Sequence, residues 1–440
     1  MKREMKTNQI KCIVEKYEHE EIDEFNNLEI DEKSKIVYRF NNACEEKYLC
    51  IKEQEFKENR SLKAGYFIGY RWFDTNKTYL HIKPKIHNGK QADFLAMFKE
   101  CLSHPIVSQK MDKAYKIFFD EPLIEIQDKK DEITPFLIIH FLQIVKTIEK
   151  KGLKKGYIKV TDNLTSKIKG KILVNQTIKQ NHFRNRIDKT VCNYQIFTIN
   201  CLENQILKTA LMQCGRYLAG MADKNIIKIL KQNITAFEQV DTKEVFDSDF
   251  SKIKHSPFYK EYKEALNLAK MIFKRFGFAL NNNLSNISNK IPPYYINMPE
   301  LFERYVELKL LQSNYDVKDG NNGGQMAQWS MRPDFLLPKE KIIADAKYKF
   351  WFDAGKNGLN NENSEYKKDY MQLSLYGRDN IIRDILNINE CEVVDLLFMY
   401  PIPNGNYKDK INIALAENSK KFHKIKQIGV NMPYQTIQGK

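Results

Sequence analysis

Two aspartates and a lysine near residue 340 are spaced so that they could act together on a bound ligand. They lie in the segment MRPDFLLPKEKIIADAKYKF, residues 331–350. Two apolar runs, 335–337 and 342–344, flank a polar four-residue loop that Pro338 opens. Short apolar runs separated by such a loop are typical of two antiparallel strands. The segment therefore predicts a β-hairpin.

The register of this hairpin would bring the two aspartates together. If Leu337 pairs with Ile342, the same pairing places Asp334 opposite Asp345. Facing Cβ atoms on paired strands are about 5 Å apart, and like charges there destabilise a sheet. A divalent cation would supply the missing positive charge, and Mg²⁺ suits carboxylates together with phosphate oxygens. The pair thus predicts a metal site for Mg²⁺, with Mn²⁺ as an alternative.

Lys347 would lie on the same face as Asp345, because side chains two residues apart in a strand point to the same side. An ammonium group beside a metal-bound water can orient that water or stabilise the charge of a phosphate in the transition state. D-x-K is a common tripeptide and P-D a common turn, so each alone says little. Their combination in hairpin register, between two helices, predicts hydrolysis of a phosphodiester.

Two helical segments flank the hairpin and carry further candidates. MPELFERYVELKLL begins with Pro299, a favoured first-turn residue, and holds Glu303 as a third carboxylate for the metal. Downstream, Gln372 and Tyr376 are one helical turn apart and could hold a water or a phosphate. The alternatives are a solvated helical glutamate and a partly buried polar pair.

The first 90 residues have the pattern of half-buried strands. The runs Lys35–Phe40 and Tyr79–Lys83 alternate polar residues with apolar or aromatic ones. This period of two is the signature of a strand with one buried face. Residues 1–90 are therefore predicted to form a β-rich N-terminal module.

The rest of the chain divides at a segment rich in Asn and Ser. Residues 91–285 are mainly helical in pattern, with a β-like stretch at about 156–200. NNNLSNISNKIPPYY, residues 281–295, ends this region as a linker. Residues 294–440 then form the domain that carries the aspartates. The whole pattern predicts an α+β multidomain protein whose middle region has a β-hairpin insertion and whose C-terminal core is α/β.

The β-like stretch is strongly basic. A solvated edge hairpin would explain this, since lysines on an edge strand block aggregation. A basic arm that binds nucleic acid or a partner would explain it equally well. Its basic residues include Lys167, Lys169, Lys171, Lys179, Arg184, Arg186 and Lys189.

Composition favours a soluble partner of nucleic acid. The net charge is +15 and the pI about 9.1, which suits a polyanion, although lysine richness throughout the chain can also reflect codon bias. No two of the eight cysteines form a C-x-x-C pair. The N-terminus lacks a signal peptide, and no stretch reaches the ~20 apolar residues of a membrane span. We expect a cytoplasmic protein with no membrane contact.

The ordered motifs resemble those of RecB-like nucleases of the PD-(D/E)xK class, and more closely those of the McrC family. The likeness also covers the upstream segments AGYFIGYRWFD, YLHIKPKI, GKILVNQTIKQN and LENQILKTAL, so it extends over roughly residues 60–440. The residues that carry it near the site are Glu303 in LFERYV, Asp334 in MRPD, Asp345 and Lys347 in ADAKYK, and Gln372 with Tyr376 in Q-x-x-x-Y.

This resemblance implies the nuclease subunit of a restriction system specific for 5-methylcytosine. In such systems an AAA+ GTPase ring, McrB, reads and translocates double-stranded DNA, and the McrC subunit stimulates the GTPase and cuts. The upstream region, here 91–285, is implied to bind that ring. The chain itself has no G-x-x-x-x-G-K-[ST] phosphate loop, so we expect it to bind no nucleotide.

Two other functions are open on the sequence. One is a catalytically silent adaptor that only activates an AAA+ partner, against which the intact set Asp334, Asp345 and Lys347 argues. The other is a stand-alone nuclease in DNA repair or transposition, against which the upstream resemblance argues. An AAA+ GTPase encoded next to this chain would favour a restriction subunit or an adaptor over the stand-alone enzyme.

Overall fold

The structure of the chain is a computed structural model. It describes most of the chain, with gaps that include the predicted strand Lys35–Phe40 and most of the predicted linker. The described ranges are 12–22, 51–56, 59–72, 78–87, 90–104, 106–118, 121–125, 133–219, 224–253, 257–276, 290–320, 332–349, 364–389, 391–402, 406–418 and 423–436.

The chain divides into two compact units. A split unit combines Met1–Ile124 with Pro292–Lys440, and an inserted unit is the continuous segment Glu125–Ile291. Both contain strands and helices, which confirms the α+β class at the coarse level. The sequence predicted boundaries at about 90 and 294, which put the N-terminal strands and the C-terminal core in different domains. In the structure, the N-terminal strands and the C-terminal core belong to the same compact unit, the split unit. The three-region layout therefore stays a prediction.

A five-stranded sheet explains why the two ends of the chain share one unit. Its strand Tyr294–Asn297 pairs antiparallel with Phe67–Trp72 on one side and with Tyr115–Ile117 on the other. Gly69 has φ +130°, and a Cβ there would lie 2.4 Å from the carbonyl oxygen of Tyr294, so only glycine allows this close pairing. The sheet order is Cys12–Tyr17, Thr78–Lys83, Phe67–Trp72, Tyr294–Asn297, Tyr115–Ile117.

Smaller elements complete the N-terminal part of the split unit. Asp93 caps the helix Phe94–Ser103, because its Oδ1 accepts a 2.9 Å hydrogen bond from the Ala96 amide. A 3₁₀ helix, Val107–Lys113, follows. The remaining strands are the hairpin Ile51–Phe56 with Asn59–Ala64, and a small sheet in the order Tyr434–Thr436, Lys90–Ala92, Ile86–His87.

The C-terminal part of the split unit is a six-stranded mixed sheet. Its central strand Ile342–Ala346 runs antiparallel to Phe335–Leu337 and parallel to Asp395–Ile402. The order is Lys318–Asp319, Phe335–Leu337, Ile342–Ala346, Asp395–Ile402, Ile425–Asn431, Glu417–Asn418, and the helices are Met298–Gln312, Ser364–Tyr376 and Asn380–Ile385, with a 3₁₀ turn at Ile413–Leu415. Leu336, Ile343, Leu373, Phe398 and Tyr400 lie in its buried core.

The inserted unit consists of a helical bundle and a β-hairpin arm. The arm is a long antiparallel hairpin in which Gly156–Thr165 pairs with Lys189–Thr198, in the basic stretch singled out above. The short strand Lys171–Ile172, the helix Val174–Gln180 and the 3₁₀ turn His182–Arg184 complete the arm. The bundle consists of Ile133–Lys151, Leu202–Leu218, Lys224–Ala236, Asp247–Ser251, the 3₁₀ turn Pro257–Tyr259 and Lys260–Phe276.

Two-residue strands, Ile124–Glu125 and Lys290–Ile291, lie where the chain passes from one unit to the other. Within the described parts of the chain, no helix is both long and apolar enough to cross a membrane.

Candidate active site

The hairpin has the register predicted from the sequence. Phe335 pairs with Ala344, and Leu337 pairs with Ile342. The loop between the strands closes with a 3.3 Å hydrogen bond from the Lys341 amide to the Pro338 carbonyl oxygen. Lys341 has φ +56°, the left-handed conformation that lets a short loop reverse the chain. Continued by one residue, this register brings Asp334 to Asp345.

The two aspartates meet at the end of the hairpin. Asp334 Oδ2 accepts a 2.7 Å hydrogen bond from the Ala346 amide, which holds its carboxyl group against the neighbouring strand. Asp345 is only 3% exposed, and it lies close enough to Asp334 for its charge to raise the pKa of that residue. Lys347 Nζ lies 2.6 Å from Asp345 Oδ2. Two carboxyl groups and one ammonium group therefore form one cluster.

Burial and like charge disturb the ionisation of this cluster. Burial raises the pKa of Asp334 well above its ordinary value of 3.8, and the charges of Asp345 and Glu303 add to that rise. Burial also raises the pKa of Asp345, against the opposing effect of the Lys347 ammonium. Burial alone would lower the pKa of Lys347, but the carboxylates of Asp345 and Asp334 outweigh it and the pKa rises. One ammonium group thus neutralises the carboxylates only in part.

The donor set suits a hard divalent cation that keeps other ligands. Within the described residues, no three His, Cys, Asp or Glu side chains converge closely enough to hold a metal ion by themselves. Mg²⁺ is commonly bound by one or two carboxylates, with water and substrate phosphate oxygens filling its other positions. Asp334 and Asp345 fit that pattern, and the charge they leave uncompensated is what such an ion would supply.

Glu303 lies on the helix Met298–Gln312, close enough for its charge to raise the pKa of Asp334. Its own carboxylate pairs with Arg304, which also binds Glu300 at 3.0 Å and Glu307 at 2.8 Å. The helix presents Glu303 towards the aspartates, while Arg304 holds it in an ion-pair network. Its role as a metal ligand stays a prediction.

Gln372 and Tyr376 contact each other on the helix Ser364–Tyr376. Gln372 Nε2 donates a 2.6 Å hydrogen bond to the Tyr376 hydroxyl. Gln372 is exposed, whereas Tyr376 is buried. Burial raises the pKa of Tyr376 to about 12, and the Asp345 carboxylate contributes to that rise. The tyrosine hydroxyl is therefore a neutral polar group within electrostatic range of the aspartates.

Sequence reasoning passed over Asp369 and Lys349. Lys349 Nζ lies 2.8 Å from Asp369 Oδ2, which ties the Gln372 helix to the chain just after Lys347. The charge of Asp369 also raises the pKa of Asp345. The signal was present, because Asp345, Lys347 and Lys349 alternate along the chain and Asp369 precedes Gln372 by one helical turn.

Comparison with known proteins points to one family. A family model described as McrBC 5-methylcytosine restriction system component matches residues 62–381, nearly three quarters of the chain. No curated protein sequence matches.

Two solved structures from Thermococcus gammatolerans are similar at low identity. The refined half-complex from the tetradecameric assembly of McrB AAA+ hexamers with bound McrC is 14% identical, with 96% of this chain and 94% of that chain covered and a TM-score of 0.39. The cryo-EM structure of the McrBC complex is 13% identical, with 81% and 100% covered and a TM-score of 0.31.

Proposed function

Because the chain belongs to the McrBC 5-methylcytosine restriction system component family, we propose that it is the DNA-cutting subunit of such a system. It would hydrolyse phosphodiester bonds of double-stranded DNA with Mg²⁺ or Mn²⁺, and would work with an McrB-like AAA+ GTPase ring. One observation carries the catalytic part of this proposal. Asp334 and Asp345 meet in hairpin register with Lys347 beside them.

Each residue of the cluster has a role in this chemistry. Asp334 and Asp345 would hold the cation, with Glu303 as the predicted third ligand. A bound Mg²⁺ supplies positive charge to a phosphate oxygen and to the attacking water. Lys347, already 2.6 Å from Asp345, is placed to donate a hydrogen bond to that water or to a phosphate oxygen. Tyr376 and Gln372 would hold a phosphate oxygen or a water at the edge of the site.

The aspartate pair lowers the stability of the folded chain, which argues against a silent adaptor. Two facing carboxyl groups with raised pKa values destabilise the folded chain at neutral pH unless a cation binds them. An adaptor would gain nothing from this arrangement, whereas a metal-dependent nuclease requires it. Co-purification with an adjacent AAA+ protein, followed by a DNA cleavage assay with GTP, ATP or neither, tests the whole proposal. Cleavage that persists in EDTA would contradict it.

The surface of the arm supports the proposal that the chain binds an AAA+ ring. Its surface combines exposed basic residues with exposed aromatic ones, and aromatic residues and arginine are enriched where proteins bind each other. Tyr157 and Phe197 contact each other at 4.9 Å between ring centroids and are 72% and 59% exposed. Phe183 is 80% exposed. We propose that this arm, which its helical bundle carries, binds the AAA+ partner.

Glu303→Gln is expected to raise the Mg²⁺ concentration for half-maximal cleavage about tenfold, within the range seen when one group supporting a metal is lost. The amide removes a negative charge near Asp334 but leaves Arg304 paired with Glu300 and Glu307. The measurement is a Mg²⁺ titration of the cleavage rate. Glu300→Gln is the matched control, because it removes another Arg304 partner and should leave the titration unchanged. If both variants need the same Mg²⁺ concentration for half-maximal cleavage, Glu303 is not a metal ligand.

The inserted unit, residues 125–291, is expected to bind the partner without the rest of the chain. It is one continuous segment with its own helical core. A longer fragment, residues 1–290, would lack the interior strand Tyr294–Asn297 of the five-stranded sheet. The measurement is co-purification of the fragment with the AAA+ protein. If only the split unit co-purified with the AAA+ protein, the partner-binding region would lie there and not in the inserted unit.

A further inference from the structure

A buried ionic cluster contacts the chain immediately after Lys347. It consists of Glu18, Lys85 and Tyr348 and is called here the Lys85 cluster. Lys85 Nζ donates a 3.0 Å hydrogen bond to the Tyr348 carbonyl oxygen and lies 3.9 Å from the centre of its ring. Glu18 Oε2 accepts hydrogen bonds from the Lys85 amide at 2.9 Å and from the Tyr348 hydroxyl at 3.3 Å. Backbone, ring and hydroxyl of Tyr348 are therefore all held.

The same cluster connects distant parts of the sequence. Glu18 follows the first strand, and Lys85 belongs to the family-like segment YLHIKPKI, whose role the nuclease chemistry left open. The Tyr348 ring also packs against Phe302, next to Glu303, at 5.8 Å between ring centroids. All of these residues lie in the split unit. The N-terminal strands thus reach the end of the strand that carries Asp345.

Lys347 lies between the end of its strand and Tyr348, which the cluster contacts. Its amide donates a 2.9 Å hydrogen bond to the Met399 carbonyl oxygen, and its own carbonyl oxygen accepts one of 2.7 Å from the Lys349 amide. The strand ends at Ala346, so Lys347 lies beyond the regular ladder. Beyond that point, Tyr348 contacts the Lys85 cluster and Lys349 pairs with Asp369.

The charges of the cluster are costly to bury. Burial raises the pKa of Glu18 to about 7 and lowers that of Lys85 to about 8. Apolar side chains of similar volume often stabilise a fold as well as a buried ion pair does. An ion pair, however, fixes the position of its partners through directed hydrogen bonds. The cluster is therefore better suited to positioning than to stability.

We propose that the Lys85 cluster positions Lys347 for DNA cleavage, with Lys85 and Glu18 as positioning residues that act through Tyr348. This inference rests on the proposed nuclease function. In this proposal, the N-terminal part of the split unit both forms the five-stranded sheet and positions the catalytic lysine.

The test uses the full chain with a double substitution, Lys85→Met with Glu18→Gln. Removing both charges avoids leaving either one buried alone, and methionine keeps the unbranched shape of lysine. The matched control is Lys83→Met with Glu15→Gln. That ion pair, 3.0 Å long, joins the first strand to the strand Thr78–Lys83 just before the cluster.

Two readouts are expected to change in the cluster variant and not in the control. Amide hydrogen exchange of the peptide spanning 344–349, without DNA or metal, should speed up on the order of tenfold. The single-turnover cleavage rate should fall about 10- to 100-fold, as for other groups that orient a catalytic side chain. The DNA concentration for half-saturation should stay the same, because Lys347 is displaced while the DNA-binding surface is intact.

The outcomes separate the two proposals. Unchanged exchange and unchanged rate in a folded cluster variant overturn the positioning role, as does an equal loss in the control. If the double variant does not fold, Tyr348→Phe decides: it removes the hydroxyl that contacts Glu18 and keeps the ring and the backbone, and unchanged exchange and rate would overturn the inference. If the wild-type chain cuts no DNA with its partner, the nuclease function fails, and the exchange experiment alone still decides whether the cluster orders this segment.

Discussion

Asp334→Asn is expected to lower DNA cleavage by at least about 1,000-fold, because a metal contributes several kcal/mol of charge stabilisation and each 1.36 kcal/mol is a factor of ten in rate. The asparagine amide oxygen can still accept the hydrogen bond from the Ala346 amide. The Lys347–Asp345 ion pair also remains. Only the charge that would hold the cation is lost. The measurement is the single-turnover cleavage rate in saturating Mg²⁺.

Stability provides the control for this variant. The folded-state pKa of Asp334 lies above its ordinary value, so this carboxyl group makes the folded chain less stable as the pH rises above about 4 towards that raised pKa. Asparagine does not ionise, so the variant does not lose stability in this way as the pH rises. In EDTA at neutral pH, the thermal midpoint of Asp334→Asn should therefore equal or exceed that of the wild type. A stable variant that still cuts at the wild-type rate would exclude Asp334 from the site.

Reversing the charge of the arm should abolish most stimulation of the partner's GTPase while leaving the cleavage site intact. The triple variant Lys169→Glu, Arg184→Glu and Arg186→Glu changes exposed residues of the hairpin arm. Electrostatic complementarity governs how such surfaces meet, and like charges across an interface cost several kcal/mol. The measurement is steady-state GTP hydrolysis by the AAA+ partner with each chain added.

Two comparisons make this result specific. Lys150→Glu, Lys228→Glu and Lys231→Glu produce the same change in net charge on exposed residues of the bundle, and should leave stimulation intact. Asp334→Asn should also stimulate normally, because Asp334 lies in the split unit and the arm lies in the inserted unit. If the arm variant stimulates the GTPase fully, the basic arm does not bind the partner, and a solvated edge hairpin explains its lysines. Loss of stimulation in Asp334→Asn would show that cleavage and stimulation cannot be separated.

The sequence by itself determined the local geometry of the candidate site. The hairpin register followed from two apolar runs and a four-residue loop, since pairing one residue fixes all the others. The helical spacing of Gln372 and Tyr376 followed from the period of 3.6 residues, and the two side chains do contact each other. These features depend on neighbours a few residues apart, which a pattern in the sequence records directly.

The tertiary structure decided what surrounds that geometry. The strand Tyr294–Asn297, which the sequence placed at the start of the C-terminal domain, is an interior strand of the five-stranded N-terminal sheet. Lys85 and Glu18 reach Tyr348 across more than 250 positions of sequence. Such contacts depend on the path of the whole chain, and no local period of apolar residues encodes them. The sequence therefore specified the candidate residues Asp334, Asp345 and Lys347, and only the fold showed which distant residues contact the chain beside them.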